Sequence, residues 1–178
     1  MFKFEREIFA TSNLVASQAA EQSLEQQQRD VYESHRHRAF SLAFYMTGNE
    51  IEAEEILATT FVRAFQAQER PDGFAVDSAL VQELSQRFPL QEVEAPAVIV
   101  QGAAANQRNV RRSDLEAAVR SLPANERLLF LLRDVEGYAP AMISRLLNIP
   151  EPQVQRSCFS ARIRLSQLLA EQARNEAA

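Results

Sequence analysis

Six side chains toward the C-terminal end carry the chemistry of DNA recognition: Gln153, Gln155, Arg156, Ser157, Arg162 and Arg164. Glutamine amides pair with adenine edges, and arginine pairs with guanine or with phosphate. With Val154 turned inward, Gln153, Gln155, Arg156 and Ser157 face outward as readers. Arg162 and Arg164, further along, suit phosphate contacts that set register rather than specificity. Such a set works only when a helix lays it in the major groove. Upstream, Met142, Ile143, Leu146 and Leu147 share one face of a short helix over residues 140–147, and the turn Asn148-Ile149-Pro150 follows. The second helix is expected over residues 151–171. Pro152 lies in its opening turn, where a missing amide hydrogen costs nothing, and the free amides there point at a phosphate. This is the pattern of a helix-turn-helix. An ordinary helical hairpin with arginines on a solvated face fits the same spacing, and spacing alone leaves both readings open.

Other reactive groups point nowhere as sharply. Glu54 and Glu55 are adjacent and so point in different directions on a helix, which argues against a carboxylate metal site. His35-Arg36-His37-Arg38 reads as a solvated or partner-facing patch. Cys158 falls four residues after Val154 and is expected to be a buried apolar side chain. Two histidines and one cysteine do not make a zinc site, and no glycine-rich phosphate loop is present. Neither a catalytic residue nor a cofactor is expected. No run of eighteen apolar residues occurs, so membrane insertion is not expected. Glu5 and Glu7 interrupt the stretch where a secretory segment would be apolar, and a single cysteine suits a reducing cytoplasm.

Charge divides the chain. Residues 1–107 hold 8 basic against 16 acidic side chains, a net of −8, and residues 108–178 hold 11 against 8, a net of +3. A chain that gripped nucleic acid unaided would be basic throughout. An acidic first half and a basic second half suit one module for a protein partner and one for DNA. A plain solubility role for the charges is the competing reading.

The elements that must position these groups are helical. Only four glycines and no tryptophan occur, and alanine, leucine, glutamate, glutamine and arginine dominate, all good helix formers. Residues 22–47 read as a long helix ended by Gly48-Asn49, and residues 50–68 as a second with Ile51, Ile56, Leu57, Phe61, Val62 and Phe65 at helical spacing. Pro71-Asp72-Gly73 signals a turn, and residues 77–88 a weaker third helix. Residues 89–110, with Pro89, Pro96 and Gly102, read as a linker in which residues 98–100 pack locally. Ser113 with Glu116 fits a capping box before a helix over residues 115–122, and Pro123 opens another over residues 125–135 that Gly137-Tyr138 ends. The expected architecture is all-α. It has an N-terminal extension (1–20), a first helical domain (21–88), the linker, a second domain carrying the helix-turn-helix (111–172) and a tail (173–178).

Arg133-Asp134-Val135-Glu136-Gly137-Tyr138, followed by Ile143, Leu147, Asn148-Ile149-Pro150-Glu151 and Val154, resembles the promoter −35 recognition domain of bacterial RNA polymerase sigma factors. It looks most like the small extracytoplasmic-function group. Ser121-Leu122-Pro123 and residues 127–132 match that domain's opening. Independently, residues 43–46, Thr47-Gly48-Asn49, Ala53-Glu54-Glu55-Ile56-Leu57 and Thr60-Phe61-Val62-Arg63-Ala64-Phe65 resemble the family's core-polymerase-binding helices. The resemblance implies a protein without covalent chemistry that binds RNA polymerase core and directs it to promoter double-stranded DNA. The first domain would grip the polymerase through Glu54, Glu55, Phe61 and Arg63 and would melt the −10 element. The second would read the −35 element through residues 153–159, which adds Phe159 to the reading set. An anti-sigma or other regulatory protein is a further partner that the resemblance admits.

Three departures from the family pattern qualify this. Ala58 and Thr59 stand where a glutamine and a glutamate are usual. Residues 74–88 offer two phenylalanines and Arg87, with Asp72, Asp77 and Glu83 alongside, a thin surface for capturing unstacked bases, which needs aromatic platforms and positive charge. Gln155, Ser157, Phe159 and Ser160 replace side chains that are often basic or imidazole. The thin −10 segment and the acidic first half favour an alternative in which the chain is a degenerate relative, a protein-binding or regulatory module that does not open promoters alone; the surviving helix-turn-helix opposes it.

Overall fold

The computed structural model describes residues 2–89 and 110–175, with side-chain surroundings from residue 21 onward. Residues 90–109, most of the expected linker with its packed 98–100 stretch, lie outside the described residues, as do residues 176–178. All regular structure among the described residues is helical: α1 (Phe2–Thr47), α2 (Glu50–Ala67), α3 (Gly73–Arg87), α4 (Arg112–Ser121), α5 (Ala124–Phe130), a π-helical turn (Leu131–Val135), α6 (Pro140–Leu147) and α7 (Glu151–Asn175).

Local chemistry sets most of these bounds. No glycine or proline precedes Gly48, so nothing stops α1 short of Phe2, and the helix expected from residue 22 runs through the expected extension as well. Gly48, at φ +70°, ends it, in the left-handed conformation that glycine tolerates best. Asn49 caps α2 by accepting from the amides of Ile51 (2.9 Å) and Glu52. Asp72 does the same for α3 through the Ala75 amide at 2.8 Å. That cap starts α3 at Gly73, four residues before the start expected from its apolar pattern. The expected Ser113–Glu116 capping box is not formed. Helix α4 begins at Arg112 after an Arg111 cap without a side-chain bond, because Glu116 is held by Arg112 Nε at 2.8 Å.

Helices α1–α3 form one group and α4–α7 another, yet a single apolar cluster runs through both. It joins Leu42, Met46, Ile56 and Leu84 of the first group to Leu128, Leu132, Ile143 and Val154 of the second. Burying a side chain of this size contributes about 1.5–3 kcal/mol, whereas an exposed ion pair contributes about 0–1 kcal/mol. The apposition of the groups therefore rests chiefly on apolar area. A second small cluster, Phe61, Ala64, Val76 and Ala79, joins α2 to α3. Arg127 ties the groups through backbone. Its guanidinium donates to the carbonyls of Met46 (2.7 Å), Arg120 (2.5 Å) and Leu122 (2.9 Å), which satisfies acceptors left over where α1 and α4 end.

His35 of α1 lies against Gly73 of α3. A Cβ at Gly73 would come within 2.9 Å of its imidazole carbon, so the glycine makes room for the ring. Burial lowers the His35 pKa, and the nearby Arg38 lowers it further. The folded state thus binds the proton less readily than the unfolded chain, whose histidine titrates near ~6.5. His35 contributes stability that is fully present above that pH and is lost as pH falls through the lowered folded value. The expected result is a melting temperature that declines from pH 7 toward pH 5, with the decline reduced in His35→Gln. Parallel pH profiles for the two proteins would count against this role.

Candidate nucleic-acid interface

Helices α6 and α7 are joined by a turn whose geometry is built from three residues. Asn148 stands at φ 52°, ψ 44°, the left-handed region, which asparagine enters more easily than other non-glycine residues. The Ile149 amide returns to the Ser144 carbonyl at 3.2 Å, and Ser144 Oγ donates to the Ile149 carbonyl at 2.6 Å. Ile143 and Val154, both fully buried, pin the two helices to the core. Asn148→Ala is expected to cost about 1 kcal/mol because alanine lacks that tolerance, and Asn148→Gly close to nothing. Denaturant midpoints of the two variants check this.

On this frame the outer face of α7 presents Gln155, Arg156 and Phe159 to solvent, Phe159 with 60% of its surface exposed. Gln153 and Ser157 are half-buried beside them. Gln155 donates from its Nε2 to Glu151 Oε1 at 3.2 Å. Among the described residues Arg156 meets no hydrogen-bond or ion-pair partner, and it stands exposed.

The two remaining arginines are engaged inside the protein. Arg162 pairs with Asp134 of the π-helical turn through both Nε and Nη2, and that contact raises its pKa. Arg164 Nε lies 3.1 and 3.0 Å from the two oxygens of Glu126, a carboxylate only 1% exposed that also accepts from Ser160 Oγ at 2.7 Å. Both arginines were expected at phosphates. In the structure Arg164 is the counter-ion of buried Glu126, and Arg162, its side chain 54% exposed, is paired with Asp134. Cys158 is buried as expected. Its thiol donates to the Leu129 carbonyl at 3.7 Å, and burial, helped by the charge of Asp134, raises its pKa.

The residues expected to meet a polymerase divide similarly. Glu54 and Glu55 are exposed on α2. Phe61 is 4% exposed and packs edge-on against Tyr32 with ring centroids 4.8 Å apart, so it supports α2 from inside rather than meeting a partner. Arg63 donates to Glu83 at 3.0 Å. Glu83, 7% exposed, also receives Arg87 at 3.1 Å, and Arg87 lies 3.6 Å from Glu55. The one basic residue of α3 is thereby neutralised. Of these acidic partners, Glu83 stands beside Arg87 in the 74–88 segment and Asp134 in the −35-like motif, whereas no signal in the sequence pointed to Glu126.

Among the described residues, no group of three His, Cys, Asp or Glu side chains is placed to hold a metal ion, and no helix is long and apolar enough to cross a membrane.

Two comparisons with known families fall on these same elements. Residues 31–77 match the family described as Sigma-70 region 2, and residues 112–165 match Sigma-70, region 4. The chain is also similar to the ECF RNA polymerase sigma factor SigE of Mycolicibacterium smegmatis, with 25% identity over 156 residues, 79% of this chain and 61% of that protein. The match thus spans less than two thirds of the relative's length.

Proposed function

Because the chain belongs to the sigma-70 family, as an ECF-like member with regions 2 and 4 in order, we propose that it binds RNA polymerase core and directs it to promoter DNA. In this reading α6, the Asn148 turn and α7 are a helix-turn-helix of the −35-recognition type. Gln155, Arg156 and Phe159 meet base edges in the major groove, with Gln153 and Ser157 at their margins. The α1–α3 group, residues 21–88, meets the polymerase through the acidic face of α2 around Glu54 and Glu55. The chain performs no covalent chemistry, works in the cytoplasm beside the polymerase, and is open to control by an anti-sigma protein.

The observation that carries this reading is the exposed Gln155–Arg156–Phe159 face on a helix held by Ile143 and Val154, inside the segment that matches region 4. Its test is binding of the purified protein to polymerase core, followed by transcription from a library of promoter fragments. Core binding with promoter-dependent transcripts is the expected result.

One observation favours a second reading, a relative that binds core without opening promoters. Arg87, the only basic side chain of α3, is paired with Glu83 and Glu55, so that helix offers little free positive charge to a displaced strand. Core binding without transcripts, restored on a fragment already melted around −10, supports this second reading.

A further inference from the structure

We propose that Phe159 reads a methyl group, the C5-methyl of thymine or of 5-methylcytosine, in the DNA element that α7 meets. The proposal rests on the reading of α7 as a recognition helix and adds the chemical class of its ligand. Among the described residues Phe159 is the one large apolar side chain that α7 leaves exposed, at 60%. Val154, Cys158, Ala161 and Leu165 of the same helix are turned into the core. A phenyl ring held in water forgoes the gain that burial brings, and a surface that covers it in a complex restores that gain. Gln155 stands four residues before the ring and Arg156 three, both exposed, so the three side chains share one face.

The ring has neither donor nor acceptor, so it discriminates by what it can cover without loss. In the major groove guanine presents N7 and O6, adenine N7 and its N6 amine, and cytosine its N4 amine, while thymine adds a methyl group. A phenyl pressed on a polar edge strips its water and returns no hydrogen bond, whereas a methyl group loses only unfavourable hydration. Methylation of cytosine at C5 puts the same group at the same place in the groove. Two neighbouring polar side chains are already engaged. Arg162, three residues on, is paired with Asp134, and Ser160 donates to the buried Glu126 at 2.7 Å. At this level of the helix the unengaged contact is therefore the ring. Four residues of helix rise about 6 Å and base pairs stack at about 3.4 Å, so the methyl group lies about two pairs from the base that Gln155 meets.

The test is binding of the full chain, alone and with polymerase core, to duplexes recovered from a randomised pool, followed by replacement of each thymine with deoxyuridine. At one position, near the base whose identity Gln155→Ala relaxes, loss of the methyl group is expected to weaken binding about fourfold. With cytosine placed there instead, 5-methylcytosine is expected to bind about fourfold better than cytosine. Phe159→Ala is expected to bind methylated and unmethylated duplexes alike, and Phe159→Leu, which keeps an apolar tip, to retain part of the difference. Melting profiles report that both variants are folded. A parent protein indifferent to deoxyuridine at every thymine overturns the proposal, as does a methyl effect of equal size in Phe159→Ala. Preference for thymine over deoxyuridine without preference for 5-methylcytosine over cytosine overturns the methyl group as the shared feature. Duplex binding unchanged in Phe159→Ala while core binding falls assigns the ring to the polymerase instead. Failure to recover any duplex, with or without core, removes the recognition helix itself and this proposal with it.

Discussion

Arg164→Ala is expected to lower folding stability by about 2–3 kcal/mol, a loss that exceeds any effect this arginine could have through DNA. Its partner Glu126 is 1% exposed, and removing the guanidinium leaves that carboxylate, among the described residues, with only the Ser160 hydroxyl at 2.7 Å. Breaking a buried pair from one side costs about 3–5 kcal/mol; the Ser160 bond and the partial exposure of Arg164, 32%, reduce the figure. Glu126→Gln should cost less, about 1 kcal/mol, because an amide keeps an acceptor for Ser160 and strands no charge. Urea denaturation reads both values. A midpoint unchanged in Arg164→Ala, together with a DNA-binding salt slope reduced by about one, would return this residue to the phosphate backbone.

The largest expected effect on recognition comes from Gln155→Ala with Arg156→Ala. Each good base-edge contact contributes about 1–3 kcal/mol of discrimination, so the pair together should weaken binding to a cognate −35 duplex by at least thirtyfold. Stability should move by less than about 0.5 kcal/mol, since both side chains are exposed and hold no other element in place. Titration against cognate and scrambled duplexes separates the possible roles. Loss on the cognate duplex alone fits base reading. Equal loss on both would make these two residues phosphate contacts, and no loss on either would remove them from the interface.

Local signals in the sequence carried the helices well and the charged contacts poorly. Helix α6 was expected at its observed bounds, and α2 one residue longer, because Asn49, Gly48 and the apolar spacing of Ile56 and Phe61 act within a turn or two of the helix they shape. The first turn of α3 was missed because Asp72 looked like part of a turn with Pro71 and Gly73, although an aspartate there is equally a helix cap. The Ser113–Glu116 box failed because Glu116 found a better partner in Arg112, one helical turn away. Arg162 and Arg164 show the harder limit. Their partners Asp134 and Glu126 lie 28 and 38 residues away, and helical periodicity says nothing about which acid a distant arginine will meet. The same distance hid Arg38, which the sequence presents as one of four solvated residues in a row and the fold surrounds with Asp77, Glu136 and Tyr138.

The shared apolar cluster also has a consequence for how the protein is made. Leu84 packs in the same core as Val154, and a ribosome adds the roughly 70 residues between them at about 5–20 per second. For roughly 4–14 seconds the nascent first half has emerged while the side chains that complete its core do not yet exist. During synthesis Leu42, Leu80 and Leu84 present an unfinished apolar surface of the sort that chaperones hold. A ribosome stalled after α3 should therefore display a chain that is helical but sticky, and release of the last helix should end that stickiness in one step.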